Sequence, residues 1–120
     1  MTYVSMPLRE VDSRVIEHFP LIEDMIGRNS YNNCCLSALI EGSEVLCVAV
    51  LSEMENRCKI EVIEVLKEKR RQGIGSKMLS YIKEDNKIIE LNSIKEAENF
   101  YIMNGFVKTK EPSTFLWVKV

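Results

Sequence analysis

The chain has 120 residues, of which 46% are hydrophobic and 28% charged, with three prolines and five glycines. That is one domain's worth of ordinary globular sequence, and it excludes a collagen-like, low-complexity or wholly disordered chain. Sixteen basic against eighteen acidic side chains give a net charge of −2, which argues against a nucleic-acid partner; no apolar run approaches the roughly 18 residues that cross a bilayer.

The first twenty residues carry Arg9, Glu10, Asp12, Arg14 and Glu17 and so do not read as a secretory signal; a cytoplasmic location is expected. Tyr3–Leu8 reads as a first strand. Asp12 is placed to cap a helix whose apolar positions Val15, Ile16, Phe19, Ile22 and Ile26 follow helical spacing. Pro20 interrupts that pattern, which predicts a kink or two consecutive helices, the second starting at Pro20 and stopping near Gly27. His18, the single histidine, falls on this helical stretch and reads as a surface or boundary residue.

Cys34–Ile40 and Glu44–Leu51 are apolar runs joined by Glu41-Gly42-Ser43, a hairpin pattern, and a polar turn over 52–56 leads to a third run, Lys59–Leu66. These three form a meander. The period then changes: after Gly75, Met78, Leu79 and Ile82 mark one face of a helix ending near Asp85-Asn86. Lys87–Leu91 is a short strand. Ser93-Ile94-Lys95-Glu96 matches a capping box, and Asn104-Gly105 terminates the helix that follows. Phe106–Thr109 and Phe115–Val120 are closing strands around Glu111-Pro112-Ser113. The order is β-α-α-β-β-β-α-β-α-β-β, with no repeat or linker, so residues 1–120 read as a single domain.

Cys34, Cys35, Cys47 and Cys58 show neither zinc spacing nor Cys-x-x-Cys spacing. Free buried thiols are expected, and no metal site. Charge is uneven: residues 1–60 hold nine acidic and five basic side chains, residues 61–120 nine and eleven. The basic excess gathers at Lys67, Lys69, Arg70 and Arg71, which suits one local anion and not a polyanion track.

That cluster opens the segment Lys69-Arg70-Arg71-Gln72-Gly73-Ile74-Gly75-Ser76-Lys77, between a strand and a helix. Glycines let the backbone approach a ligand closely, and a helix start presents free N–H groups and the positive end of its dipole. A phosphate or pyrophosphate is the natural guest; the plainer alternative is a glycine turn with a solvated basic face. A nucleotide P-loop fails on the order Gly75-Ser76-Lys77, with Arg70 where its first glycine belongs. The dinucleotide fingerprint fails at Met78, where a small residue is needed.

Arg70 to Gly75 fits the signature (Arg/Gln)-x-x-Gly-x-(Gly/Ala), and in these residues the chain resembles the GNAT superfamily of acyl-CoA-dependent N-acyltransferases. The hydrophobic Val65, five positions before Arg70, and the later block Ala97-x-x-Phe100-Tyr101-x-x-x-Gly105-Phe106 are similar to further family motifs. The resemblance implies an α/β (α+β) fold with a mixed, mostly antiparallel sheet of six to seven strands and about four helices. It implies acetyl-CoA as cofactor. The strand Ile60–Leu66 would splay from its neighbour at a bulge, with the Ile63 amide facing the thioester carbonyl and Val65 bonding the pantetheine.

A fixed amide donor at that carbonyl stabilises the oxyanion of a tetrahedral intermediate. The amides of Arg71, Gln72, Gly73, Ile74, Gly75 and Ser76 would hold the pyrophosphate, with Arg70 beside them or supporting the turn. Tyr101 matches the family's general acid: a phenol with a reference pKa near ~10 is protonated at neutral pH and can hand a proton to the departing thiolate. Phe100 would pack under the cofactor. The sequence departs from the family at Ile94, where many members carry a pantetheine-binding Asn; Asn92 is the substitute candidate. Glu61, Glu64 and Glu90 are open candidates for a base, with Glu61 assigned the strand parity of Ile63 and Val65.

The resemblance thus implies an N-acetyltransferase moving an acetyl group from acetyl-CoA to a primary amine of a small molecule or protein, by direct attack in a ternary complex. The alternative is a CoA-binding sensor or interaction module without turnover. A toxin-like enzyme acting on charged transfer RNA is disfavoured by the net negative charge. Neither nucleic acid nor membrane is an expected partner, and the chain reads as a monomer or homodimer.

Overall fold

In the computed structural model, which describes residues 1–28 and 33–120, β1 (Thr2–Pro7) lies antiparallel on β2 (Cys34–Glu41). The predicted meander follows as β2, β3 (Glu44–Met54) and β4 (Arg57–Val65), each antiparallel to the last. Its hairpin turns use residues suited to positive φ, Gly42 at 62° and Asn56 at 61°. β5 (Ile88–Asn92) then lies parallel to β4, and β7 (Thr114–Val118) pairs with β5 on one side and with β6 (Val107–Lys108) on the other. The spatial order is β1-β2-β3-β4-β5-β7-β6, one seven-stranded mixed sheet.

Among the described residues four α-helices cover it: α1 (Ser13–Ile16), α2 (Pro20–Arg28), α3 (Ile74–Glu84) and α4 (Glu98–Met103). Asp12 caps α1, its carboxylate accepting the Arg14 amide at 2.8 Å, and bonds from Arg14 hold that carboxyl at about 2. Pro20 opens α2 as a first-turn proline should, so the helical stretch is two helices, not one kinked helix. On one face of the sheet Ile16, Phe19 and Ile22 pack with Leu36, Ala38, Val48 and Val50. On the other, Met78, Leu79, Ile82 and Tyr101 pack with Cys47, Ala49, Ile89 and Leu91. No helix among the described residues is long and apolar enough to cross a membrane.

Several expectations need correcting. The capping box does not form: the Ser93 amide donates to Ser113 O at 2.8 Å and its hydroxyl to Ile94 O at 2.7 Å. With Ser93 tied to the strand connection, a 3-10 turn at Lys95–Ala97 intervenes before α4 begins at Glu98. The strand expected over Phe106–Thr109 shrinks to two residues, because the Phe106 amide closes on Tyr101 O. His18 lies in the connection between α1 and α2 and not on a helix, exposed beside Glu17 at 3.5 Å. All four cysteines are free; Cys34, Cys47 and Cys58 are buried, whereas Cys35 is half-buried.

Candidate functional site

The site begins where β4 leaves β5. Their parallel ladder covers Cys58–Ile60 against Ile89–Leu91 and stops there, while β4 remains paired to β3 as far as Val65. The register of β3 against β4 slips between Val50 and Leu51, whose partners are Val62 and Ile60, so Glu61 is the extra residue of a bulge. Beyond the bulge, the Leu66 amide donates to Leu46 O at 2.8 Å. Groups paired to one neighbour alternate along an antiparallel strand, so the backbone of Val62 and Glu64 faces β3 and that of Ile63 and Val65 faces the gap beside β5.

The bulge also overturns the parity assigned to Glu61. Ile60, Ile63 and Val65 sit on the α3–α4 face, whereas Glu61 accepts a hydrogen bond from Ser52 Oγ at 2.7 Å and lies 3.8 Å from Lys59. Ser52 continues the alternation of Val48 and Val50, which places Glu61 on the α1–α2 face, away from Ile63 and Val65. Glu90 is paired with Arg57 at 2.9 Å.

The chain then turns. A 3-10 segment at Lys67–Lys69 leads to extended Arg70, and Arg71 takes φ 65°, an uncommon conformation for a residue with a side chain. Gly73 follows at φ 78° as the N-cap of α3. No side chain caps this helix, and its first intrahelical closure is the Lys77 amide on Gly73 O at 3.1 Å. The amides of Ile74, Gly75 and Ser76 therefore lack an acceptor within the helix and point, with the dipole, toward its N-terminal end. That is the donor chemistry of an anion site.

A cavity of about 460 Å³ lies against these groups, lined by Val65, Lys69, Arg70, Arg71, Gly73, Ile74, Gly75, Ser76 and Phe100. Phe100 forms its aromatic wall and explains Gly75: a Cβ there would meet Phe100 Cζ at 3.0 Å and Val65 Cγ2 at 3.6 Å. Arg70 acts on its own chain, donating from Nε to Val65 O at 3.1 Å. Lys69 lies 3.7 Å from Glu44.

The structure thus gathers seven of the sequence-derived candidates, Val65, Arg70, Arg71, Gly73, Ile74, Gly75 and Ser76, around one cavity. Ile63 lies two residues upstream along the gap. Gln72 is on the turn but exposed and outside the cavity wall. Asn92 ends β5 one residue past the last β4–β5 pair, exposed, its Oδ1 accepting from Thr114 Oγ1 at 3.0 Å. Ile94 is 70% exposed.

Tyr101 is not on the cavity wall. It is 8% exposed, with its ring against Phe100 (5.1 Å between centroids), Phe106 (5.8 Å) and Phe115 (6.5 Å). Burial, and secondarily the Cys47 thiol, push its phenol above the ordinary value of 10.0.

Sequence reasoning missed the role of Glu64. This carboxylate is 4% exposed and its Oε1 accepts the amides of Leu21 and Ile22, at 3.0 and 3.2 Å, in the first turn of α2. Its Oε2 lies 3.7 Å from the Arg70 guanidinium. The one signal in the sequence is a charged residue on the strand face whose neighbours are Val62 and Leu66.

A family model described as an acetyltransferase (GNAT) domain matches residues 31–108. No curated protein matches the chain. Among solved structures, GCN5 from Tetrahymena superposes with a TM-score of 0.77 at 6% identity, over 98% of this chain and 96% of that one. A KacTA–DNA complex gives 0.72 at 11% identity, over 98% and 93%. A GNAT family acetyltransferase from Elizabethkingia anophelis with acetyl-CoA bound gives 0.69 at 13% identity, over 98% and 97%. At these identities the likeness is one of fold.

Proposed function

The chain belongs to the GNAT acetyltransferase family, and from that premise we propose that it transfers an acetyl group from acetyl-CoA to a primary amine by direct attack in a ternary complex. The observation that supports this most is the continuity of the β4–β5 gap with the amide-rich start of α3. Past the bulge at Glu61 the β4 backbone is no longer paired to β5, and it leads to a cavity walled by Val65, Gly73, Gly75 and Phe100. Unpaired strand backbone followed by free helix amides suits a long, amide-bearing arm that ends in a pyrophosphate.

Acetyl-CoA supplies an activated acyl group on a thiol leaving group. In this reading the Ile63 amide donates to the carbonyl oxygen of that acyl group, where charge develops during attack. The Val65 amide holds the pantetheine arm, and Asn92, at the end of β5 with its Oδ1 taken by Thr114 Oγ1, is the candidate for a second contact to that arm. The amides of Arg71, Gln72, Gly73, Ile74, Gly75 and Ser76 receive the pyrophosphate, and Arg70 braces the turn through Val65 O. As the C–N bond forms and the C–S bond breaks, Tyr101 protonates the departing thiolate, and the proton that the amine nitrogen loses on becoming an amide passes to solvent, from which Tyr101 is reprotonated; its burial favours the neutral phenol that this role requires. The acceptor is an amine of a small molecule or of a protein. Nucleic acid and membrane have no part in this reading, because the net charge is −2 and the local basic excess gathers at Lys67, Lys69, Arg70 and Arg71 and not along an extended track; the protein acts as a monomer or homodimer.

One observation favours a second reading, a CoA-binding module without turnover: Tyr101 sits in the core and off the cavity wall. Thiol release from acetyl-CoA, measured against a panel of amines, separates the two. The transferase reading expects amine-dependent release, reduced about 100-fold in kcat by Tyr101→Phe with the KM for acetyl-CoA within about twofold of wild type. Cofactor binding with no amine-dependent release by wild-type protein would overturn it in favour of the module.

A further inference from the structure

We propose that Glu64 is a positioning residue: it fixes the Arg70 guanidinium at the cofactor turn and ties that turn to α2 on the opposite face of the sheet. The inference rests on the acetyl-CoA reading above. Its basis is a chain of contacts that crosses the sheet. Arg70 Nε donates to Val65 O at 3.1 Å, anchoring the turn to the end of β4. The same guanidinium lies 3.7 Å from Glu64 Oε2. Glu64 Oε1 accepts the amides of Leu21 and Ile22.

Arg70 also stands between two cavities. It lines the one at the start of α3 and a second, of about 370 Å³, on the α2 side, where Glu64, His18 and Pro20 contribute to the wall.

A carboxylate buried this deeply is costly unless it is compensated. Two amides, the N-terminal end of α2 and one guanidinium share that task. The amides alone would suffice for a helix cap, and a cap needs only an acceptor oxygen. The ion pair adds a dependence on charge: without the carboxylate's charge the guanidinium loses what aims it, while Val65 O keeps a single bond to it. Whatever binds at the turn and changes the placement of Arg70 therefore changes what holds α2. By linkage the coupling runs equally in the other direction.

Glu64→Gln separates the two roles, since the amide side chain keeps an acceptor oxygen and nearly the same volume but loses the charge. Calorimetric titration with acetyl-CoA should show Glu64→Gln and Arg70→Met each weakening binding about fivefold or more. The double variant should be no weaker than the poorer single one. Hydrogen exchange supplies a second measurement that does not depend on the Glu64 variant folding. Acetyl-CoA should slow exchange of the Leu21 and Ile22 amides in wild type but not at saturation in Arg70→Met, which alters a half-exposed side chain. The inference is overturned if Glu64→Gln binds acetyl-CoA as wild type does, if the two single effects multiply in the double variant, or if the α2 amides respond alike in wild type and Arg70→Met. A wild-type protein that binds no acetyl-CoA overturns the parent reading and this inference with it; binding without the coupling overturns this inference alone.

Discussion

At Gly73 a positive φ of 78° coincides with open space, for nothing lies within 4 Å of a Cβ built there. Substitution at that position meets backbone strain and no steric block from the fold. Gly73→Ala should cost about 1 kcal/mol in urea unfolding, the ordinary penalty of a side chain in left-handed backbone. Gly73→Trp should add a ring over the turn and abolish acetyl-CoA binding while the protein stays folded. Tyr101 sets a second prediction at this scale. In its proposed role as general acid it works protonated, so the rate would fall as pH rises through its pKa, and burial raises that pKa from 10.0. The kcat–pH profile should show no fall attributable to Tyr101 below pH ~10. An alkaline fall near pH 8 that Tyr101→Phe removes would contradict this.

Among the elements, α3 is tied to the end of α4 by Lys83. Lys83 donates from Nζ to Asn104 O, with its ammonium 5.3 Å from the Trp117 ring and 5.7 Å from Phe106. Burial lowers its pKa, yet the carbonyl and the two ring faces all favour the cation. Lys83→Met should lower stability by about 1 kcal/mol, read as a shift in the urea midpoint without a change in slope. The elements also show what the sequence could and could not convey. The start of α3 was legible because two glycines and the spacing of Met78, Leu79 and Ile82 are local signals. The meander was legible for the same reason.

The capping box at Ser93 was a local pattern overridden by a long-range bond to Ser113. The resemblance implied a bulge within Ile60–Leu66, but not that Glu61 would be its extra residue, so the reversal of that residue's parity came only with the register against β3. Glu64 acts on Leu21 and Ile22, more than forty positions away, and spacing carries no information about such a pair. Tyr101 was legible as an aromatic in a motif, but not its enclosure by Phe100, Phe106 and Phe115.

For the molecule as a whole, buried thiols in the sheet contribute to behaviour in alkali. Burial, then Glu64, pushes Cys47 up to about 12 from 9.0; burial, then Glu53, pushes Cys58 up to about 11. An unfolded chain releases these protons near pH 9 while the folded one retains them. The stability they contribute is therefore complete below pH 9 and is lost as pH rises toward 11 and 12. The melting temperature should fall across that window, and less steeply in Cys47→Ala.

Thermal denaturation also tests most directly the proposal that the gap between β4 and β5 and the start of α3 form one acetyl-CoA site. A ligand that binds only the folded protein raises its melting temperature by mass action. The measurement is the melting temperature of wild type and Gly73→Trp with acetyl-CoA, CoA and dephospho-CoA. A concentration-dependent rise is expected with acetyl-CoA and CoA in wild type and none in Gly73→Trp. No rise with any CoA species at millimolar concentration, or an equal rise in both proteins, would contradict that proposal.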